Sequence, residues 1–344
     1  MRLVVITQRV DPDDPALGAT VHKLRALAER VDELVVLALD ARPAGLPANV
    51  RVKVFGASSQ AARGARLIAA LAPELRDRPV AVLAHMAPIY AILAAPLVRP
   101  LRVPLLLWFT HWRASPTLRL AERMSTRVLT VGPGSFPIPS GKLVTTGHGV
   151  EVPAQPFADH ADDGRLHILA LGRTSPAKGL ETLLDAVALL PDLPVFAELR
   201  GPSLTLAERA HRDVLAARAA EPGFRGRASV EGPLPAREVP DLYARSDLLV
   251  SNMRAGALDK VVFEAAAGGL PVLVASEGFA DLVQGLDIDL HFSQDDAASL
   301  ADRIRALHAA GPRVRRRIGL ELRRRVQEEH SAGQWADRVL EAAR

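Results

Sequence analysis

Two cationic side chains stand in a short turn between an apolar run and an amphipathic segment. The run LHILALG ends at Gly172, and Arg173, Lys178 and Gly179 follow it. An apolar stripe at helical spacing comes next, formed by Leu180, Leu183, Leu184 and Val187. The amides and positive dipole end of such a helix form an anion site, and the two cations would add charge-assisted bonds to a diphosphate. The alternative is a connecting loop with two surface charges.

A second candidate segment is AGALDKVVFEAAAGGLPVLVAS, at residues 255–276. Asp259 is a suitable N-cap for a helix that ends at the paired glycines. Glu264 lies among apolar residues of that helix, where a carboxylate is costly unless it is paired or bonded to ligand hydroxyls. Its two oxygens suit the two adjacent hydroxyls of a ribose, and a salt bridge to a neighbouring arginine is the alternative.

Histidines provide a third set of candidates. His111 follows the apolar run LLLWFT, so it is expected just beyond the end of a strand, where it could orient or deprotonate a hydroxyl group. His148 in TTGHGVE and His22 after Gly18 are weaker candidates of the same kind. A structural histidine is the alternative at each position.

The elements that must position these residues follow an α/β pattern. Apolar runs of four to eight residues alternate with segments of helical period, which is typical of parallel sheets. A turn-rich stretch from about Gly141 to Gly164 predicts a linker between two halves. We therefore expect two Rossmann-like domains facing an interdomain cleft, where ligands bind at the carboxyl ends of strands. The predicted divisions are 1–155, 156–325 and a C-terminal helix at 326–344 that packs back on the first domain.

Several classes of protein are excluded by what the sequence lacks. The chain has no cysteine, which excludes disulfide scaffolds and cysteine-ligated metals and favours a cytoplasmic location. It has no G-x-G-x-x-G, P-loop, G-x-S-x-G or H-E-x-x-H motif. The uncharged segment 80–98 contains two prolines, so it is interpreted as a buried strand, a turn at Pro88 and a short apolar helix, and not as a membrane span.

Charge is distributed unevenly along the chain. Residues 1–155 hold 19 Lys/Arg and 11 Asp/Glu, a net charge of +8, whereas residues 156–344 hold 24 and 28, a net charge of −4. This asymmetry predicts that the first half meets an anionic partner such as a membrane surface, and composition bias is the alternative. The seven arginines between Arg313 and Arg325 lack interleaved aromatic residues, so an amphipathic helix is predicted there rather than a nucleic-acid site.

Taken together, these segments resemble the family 4 retaining glycosyltransferases (glycosyl transferases group 1), which have the GT-B fold of two Rossmann-like domains. The motifs that carry the resemblance are ALGRTSPAKGLETLLDA, DLYARSDLLVSN, LDKVVFEAAAGGLPVLVAS and TTGHGVE, and the similarity covers nearly the whole chain. It implies an acceptor-binding first domain and a donor-binding second domain. The implied reaction moves a hexose-like sugar from a nucleoside-diphosphate sugar to a hydroxyl acceptor, with retained anomeric configuration.

The resemblance also implies roles for individual residues. Arg173 and Lys178 would hold the donor diphosphate, Glu264 would contact the ribose, and His111 would stand beside the acceptor and the anomeric carbon. Gly18 and His22 are expected on the acceptor side. No metal and no other cofactor is expected, because cationic side chains and helix amides stabilise the departing diphosphate.

One position departs from the family pattern. The family often carries a further glutamate eight positions before Glu264, and that position is Gly256 here. The substitute contacts for the donor sugar would come from the run AGALDK, which contains Gly256, Ala257, Leu258, Asp259 and Lys260. This departure leaves a non-catalytic nucleotide-sugar-binding protein open, alongside another GT-B enzyme such as an epimerase or a glycogen-synthase-like polymerase. The acceptor is expected to be a glycan, a small molecule or a lipid-linked molecule at the inner face of the membrane.

Overall fold

The computed structural model describes residues 1–14, 17–157, 163–254 and 256–344. The chain divides into two compact units, Met1–Glu151 with Glu329–Arg344, and Val152–Glu328. The first unit therefore ends before residue 155, and the segment that rejoins it begins after residue 326. The C-terminal segment is joined to the first unit through the backbone, since the amide of Ala332 donates to the carbonyl of Val150 at 2.7 Å.

The first unit is built on a seven-stranded sheet whose neighbouring strands pair in parallel in the order β3-β2-β1-β4-β5-β6-β7. Its central strands are continuous buried apolar runs, as expected for strands covered on both faces. The strands are β1 (Arg2–Val10), β2 (Glu33–Ala41), β3 (Val50–Val54), β4 (Ala81–His85), β5 (Leu105–Trp108), β6 (Arg127–Thr130) and β7 (Leu143–Thr145).

Helices cover both faces of this sheet. The helices are α1 (Thr20–Ala28), α2 (Gln60–Glu74), α3 (Pro88–Val98) and α4 (Pro116–Met124). The side chains of Ser59 and Ser115 accept a backbone hydrogen bond at the starts of α2 and α4, which caps these helices. The inward residues of α2, α3 and α4 share one apolar core with β1, β2, β4, β5 and β6, so these three helices lie on the same side of the sheet.

Two predictions for this unit can now be compared with the structure. Segment 80–98 forms a buried strand and a short helix, β4 and α3, as predicted, but Pro88 is the first residue of the helix and not part of a turn before it. None of the helices in the described ranges is long and apolar enough to cross a membrane. The linker predicted from Gly141 begins too early, because Leu143–Thr145 pairs with β6 as the edge strand β7. Residues 158–162 of that predicted linker lie outside the described residues.

The second unit contains a five-stranded parallel sheet in the order β10-β9-β8-β11-β12. Its strands are β8 (Leu166–Leu171), β9 (Val195–Arg200), β10 (Ala228–Glu231), β11 (Leu248–Ser251) and β12 (Val272–Val274). The helices between and after them are α5 (Glu181–Ala188), α6 (Leu206–Ala219), α7 (Val239–Ala244), α8 (Lys260–Ala267) and α9 (Ala280–Val283). The stripe predicted for α5 is buried, as expected for a helix packed on a sheet.

The C-terminal region forms two helices, α10 (Ala297–Glu329) and α11 (Ala332–Ala342). Helix α10 is interrupted at Gly311, whose φ of 76° and ψ of 170° are not helical. The arginine-rich stretch is amphipathic, as predicted, since Ile318, Leu322 and Val326 are buried. Helix α11 packs against α1 in the first unit.

Candidate functional site

The two candidate segments of the second unit meet because their strands are neighbours. β8 and β11 pair in parallel, so the loops after them leave the sheet at the same edge. The loop after β8 contains a single 3₁₀ turn, Pro176–Lys178, followed by Gly179 with a left-handed φ of 53°. The loop after β11 leads to Asp259, the N-cap position of α8. Chain topology thus places residues that are 81 positions apart next to each other.

Lys178 and Asp259 form an ion pair at this edge. The Lys178 Nζ donates to Asp259 Oδ2, and each side chain is 17% exposed. The ammonium group also lies over the end of β8, because a Cβ added at Gly172 would stand 2.8 Å from Nζ. Asp259 occupies the predicted N-cap position, but its side chain makes no cap hydrogen bond. The N-terminal amides of α8 are therefore not capped by the Asp259 carboxylate, which pairs with Lys178 instead.

Arg173 is held by a different carboxylate. Its guanidinium donates to Glu208 Oε1 on α6, and the Arg173 side chain is half exposed. Burial raises the pKa of Glu208, but the amides of Leu204 and Thr205 and the Arg173 charge outweigh it, so the pKa lies below its ordinary value. Glu208 thus stays ionised and anchors Arg173. Arg173 and Lys178 thus lie on the same loop, but each is held by a different carboxylate.

Asn252 braces this loop and was not among the predicted residues. Its buried side-chain amide donates to the carbonyl of Gly179 at 3.0 Å, to Thr182 Oγ1 at 3.0 Å and to Asp295 Oδ1 at 2.8 Å. Its side-chain oxygen accepts from the amide of Asp295 at 3.0 Å. A polar residue directly after a buried strand, as in DLLVSN, is the signal that could have identified it.

Glu264 is paired within its own helix. Lys260 Nζ lies 3.0 Å from Glu264 Oε1, and the Tyr243 hydroxyl donates to Oε2 at 3.3 Å. Burial raises the pKa of Tyr243 well above its ordinary value, and the charge of Glu264 adds to this effect. The alternative of a salt bridge to an arginine is therefore wrong, since the cation is the lysine four residues earlier. The Glu264 side chain remains 23% exposed, so its carboxylate is still accessible to a ligand.

The loop before α8 contains Gly256, the position at which the resemblance leads one to expect a glutamate. Gly256 has a φ of 81°, and the amide of Ala257 donates to the carbonyl of Arg254 at 3.1 Å. Leu258 lies against Gly278 on the next loop. Ala255 of the quoted run lies outside the described residues. A role for this loop in donor binding stays a prediction.

The predicted acceptor-side residues all lie in the first unit. Gly18 precedes α1, and His22 Nδ1 on that helix lies 3.0 Å from Glu151 Oε2. His111 follows β5, is exposed, and its Nδ1 accepts from the amide of Arg113 at 3.0 Å. Partial burial and the Arg113 charge both lower the pKa of His111, so it is a neutral base at neutral pH.

A buried polar cluster at the carboxyl ends of β1, β4 and β5 was also missed. The buried Lys23 places its Nζ 3.8 Å from the Trp108 ring centroid, and the Trp108 ring stacks on His85 at 5.0 Å. Thr7 Oγ1 bonds to His85 Nδ1 at 3.1 Å. Burial, assisted by the Lys23 charge, holds the pKa of His85 well below its ordinary value. The predicted candidate His148 packs edge-on to the same Trp108 ring at 6.1 Å, in a buried position.

The arrangement in the second unit is suited to binding an anion. A lysine, an arginine and the start of a helix lie at the carboxyl edge of a parallel sheet, near a carboxylate on α8 that can accept from hydroxyls. Within the described ranges, no group of three His, Asp or Glu side chains could hold a metal ion. The strand order changes direction at β8, which is where ligands bind in open α/β sheets.

Two α/β units with parallel sheets define the GT-B class of fold. The chain superimposes over 99% of its length on 99% of the Anabaena Alr3699/HepE structure in complex with UDP, with a TM-score of 0.75 and 17% identity. A sucrose-phosphate synthase from Thermosynechococcus elongatus gives a TM-score of 0.77 at 17% identity, covering 98% of this chain and 97% of that one. These likenesses establish the fold.

Within the second unit, residues 165–310 match the family model described as "Glycosyl transferases group 1". A D-inositol 3-phosphate glycosyltransferase of Thermobispora bispora is 33% identical over 170 residues, covering 44% of this chain and 39% of the relative. A mannosylfructose-phosphate synthase of Agrobacterium fabrum is 27% identical over 115 residues, covering 32% of this chain and 25% of the relative. The alignments thus span well under half of these relatives' length.

Proposed function

We propose that this protein is a retaining glycosyltransferase of family 4. It transfers a hexose-like sugar from a nucleoside-diphosphate sugar to a hydroxyl acceptor. The observation that carries the proposal is the meeting of Lys178, Asp259 and the start of α8 at one sheet edge, with Arg173 on the same loop. This edge lies inside the matched region 165–310. The UDP and UDP-glucose complexes of the HepE structures support a nucleotide-sugar donor.

In this proposal, the second unit binds the donor. Lys178 and Arg173 bind the diphosphate, and they stabilise the negative charge that grows on it as the glycosidic bond breaks. Glu264 accepts hydrogen bonds from the ribose hydroxyls, and Lys260 keeps that carboxylate oriented. The backbone amides of Gly256 and Leu258 contact the transferred sugar, and Ala257, whose amide donates to the carbonyl of Arg254, holds the turn between them. The leaving group needs no metal, since fixed cations and helix amides supply the positive charge, and no other cofactor takes part.

The first unit supplies the acceptor side. Gly18 and His22 line the acceptor site, and His111 orients the attacking hydroxyl through its Nε2–H, or takes the hydroxyl proton once its Nδ1 is released from the Arg113 amide. The lowered pKa of His111 suits this role, because the unprotonated ring is present at neutral pH. The acceptor is a glycan, a small molecule or a lipid-linked molecule, and the protein works in the cytoplasm at the inner face of the membrane.

A second candidate is a protein that binds nucleotide sugars without transferring them. Gly256 favours it, because a glycine offers no carboxylate to the hydroxyls of the transferred sugar. Sugar transfer or donor hydrolysis by the purified protein separates the two candidates, since a binder shows nucleotide affinity with neither reaction.

The anion site is tested by calorimetry with UDP, GDP and ADP. Arg173→Ala and Lys178→Ala should each weaken binding of the preferred nucleotide by about ten- to a hundred-fold, since hydrogen bonds to charged groups contribute about 1.5–3 kcal/mol. Arg209→Ala, an exposed arginine on α6, is the control and should bind like the unaltered protein. Equal affinity in all four proteins, with unchanged melting temperatures, would rule the site out.

A further inference from the structure

The segment that contains helices α2, α3 and α4 is strongly basic. Residues 60–127 contain ten arginines, no lysine and three acidic residues. The positive net charge is not a property of the whole chain, because residues 156–344 carry a net charge of −4. Arg63 and Arg66 lie in α2 and Arg119 and Arg123 in α4, and these two helices share one core with α3 on one side of the sheet. The other six arginines lie at the ends of these helices, on the segments that connect them to the strands or at the start of β6.

The three acidic residues do not neutralise this surface. Glu74 is buried and pairs with Arg2, Arg51 and Lys53, which lie outside the segment. Asp77 also pairs with Arg2, and Glu122 lies 3.9 Å from Lys142. Among the described residues, no ion pair is formed by any of the ten arginines. The side-chain hydrogen bonds that these arginines donate go to uncharged backbone carbonyls, as from Arg66 to the carbonyl of Gly56.

Apolar side chains are exposed among these arginines. Ile68 on α2, Ile89 on α3 and Leu120 on α4 are 39%, 46% and 46% exposed. Leu101 follows α3, and Trp112, 39% exposed, precedes α4 with the Arg113 guanidinium 4.8 Å from its ring centroid. Single exposed apolar residues are ordinary, but their mixture with unpaired positive charge on one helical layer is typical of a surface that binds to lipid headgroups.

We propose that the outward side of α2, α3 and α4, together with the exposed arginines and apolar side chains at the ends of these helices, binds an anionic lipid surface, and this surface is here called the α2–α4 face. The arginines are attracted to the negative headgroups, and the five apolar side chains enter the interface, where tryptophan is favoured. A nucleic acid fits the face less well, because Trp112 is the one aromatic residue among these exposed apolar side chains and successive bases need several stacking partners.

Lipid binding by the α2–α4 face would extend the proposed function, and this inference about its purpose rests on that function. His111 stacks on Trp112 with ring centroids 5.5 Å apart. If Trp112 lies at the headgroup level, His111 is held at the same level. A lipid-linked acceptor would then present its hydroxyl group to the residue proposed to orient it, without leaving the bilayer.

Vesicle co-sedimentation tests the charge component. The full chain should bind vesicles of phosphatidylcholine with phosphatidylglycerol, and not vesicles of phosphatidylcholine alone. The triple variant Arg76→Gln, Arg119→Gln, Arg123→Gln should bind roughly a hundred-fold more weakly, because each basic residue near an anionic membrane contributes about a five-fold factor. The control Arg42→Gln, Arg209→Gln, Arg225→Gln removes the same charge from exposed positions elsewhere and should bind nearly normally.

The apolar component is tested with serine substitutions. Ile89→Ser with Leu120→Ser should weaken the binding that persists at high salt, whereas Leu204→Ser with Val214→Ser, at exposed positions of the second unit, should not. Circular dichroism of each variant verifies folding. Equal loss in both arginine triples, equal binding to neutral vesicles, or binding to an RNA oligonucleotide in preference to anionic vesicles would each overturn the proposal.

Nucleotide calorimetry on the same proteins distinguishes the two proposals. The Arg76, Arg119 and Arg123 triple variant should bind nucleotide diphosphate like the unaltered protein, because these residues lie outside the donor site. Vesicle binding without any nucleotide affinity would reject the proposed function and retain the lipid-binding face. Nucleotide affinity without vesicle binding would reject the face and retain the proposed function.

Discussion

At the scale of single residues, Lys178 is committed to a partner that an incoming diphosphate must replace. Its ammonium group pairs with Asp259, and both side chains are 17% exposed. A phosphate oxygen that approaches Lys178 and the start of α8 also approaches the Asp259 carboxylate, and like charges at short distance repel. Asp259 therefore lowers the affinity for the anion while it keeps Lys178 in position.

Asp259→Asn should increase the affinity for the preferred nucleoside diphosphate about five-fold or more, equivalent to about 1 kcal/mol. The substitution preserves the side chain's shape and removes the competing charge. Isothermal calorimetry measures the change, and Asp287→Asn, which removes an exposed carboxylate paired with Arg317, is the matched control. A weaker affinity in Asp259→Asn would show instead that the carboxylate itself contacts the nucleotide.

At the scale of elements, the loop between β8 and α5 depends on one left-handed residue. Gly179 ends the 3₁₀ turn that carries Lys178 and has a φ of 53°. A Cβ at this position would lie 2.3 Å from the side-chain amide of Asn252 and 2.8 Å from Asp295 Oδ1. The close approach allows Asn252 to bond to the Gly179 carbonyl and join the ends of β8 and β11.

Gly179→Ala should lower the free energy of unfolding by about 2 kcal/mol or more, because the left-handed backbone and the steric overlap each cost about 1–2 kcal/mol. It should also weaken nucleotide binding, since the turn that positions Lys178 shifts. Chemical denaturation and calorimetry measure the two effects. The control is Gly223→Ala, where an added Cβ meets no atom within 4 Å. Equal stabilities of the two variants would contradict this account.

Local sequence pattern predicts elements better than it predicts their partners. The strands and the stripe of α5 could be predicted because apolar periodicity reflects burial of the residues themselves. β7 could not, because its three residues form a short, largely unburied edge strand within turn-rich sequence. Lys178 was predicted as a cation of the site, but its partner Asp259 is 81 residues away and is set by the adjacency of β8 and β11. Glu208 and Asn252 were missed for the same reason.

At the scale of the whole molecule, the chain returns to its first unit at its end. Glu329–Arg344 belongs with Met1–Glu151, and α11 packs against α1. Trp335 on α11 is 1% exposed and meets the Trp108 ring edge-on at 6.2 Å. Lys23 Nζ lies 5.3 Å from the centroid of the Trp335 ring. The last residues of the chain thus cover the buried polar cluster at the carboxyl ends of β4 and β5.

Trp335→Ala should therefore destabilise the first unit by about 3–5 kcal/mol, as expected when a buried tryptophan is truncated. Hydrogen exchange measured by mass spectrometry should show faster exchange in β1, β4 and β5, while β8 and β11 exchange at their original rates, because Trp335 packs within the first unit. Trp112→Ala makes the same substitution at a side chain that is 39% exposed and should leave both sheets unchanged. If β8 and β11 lost protection together with β1, the two units would unfold as one cooperative body, and the C-terminal helix would stabilise the whole chain rather than the unit it covers.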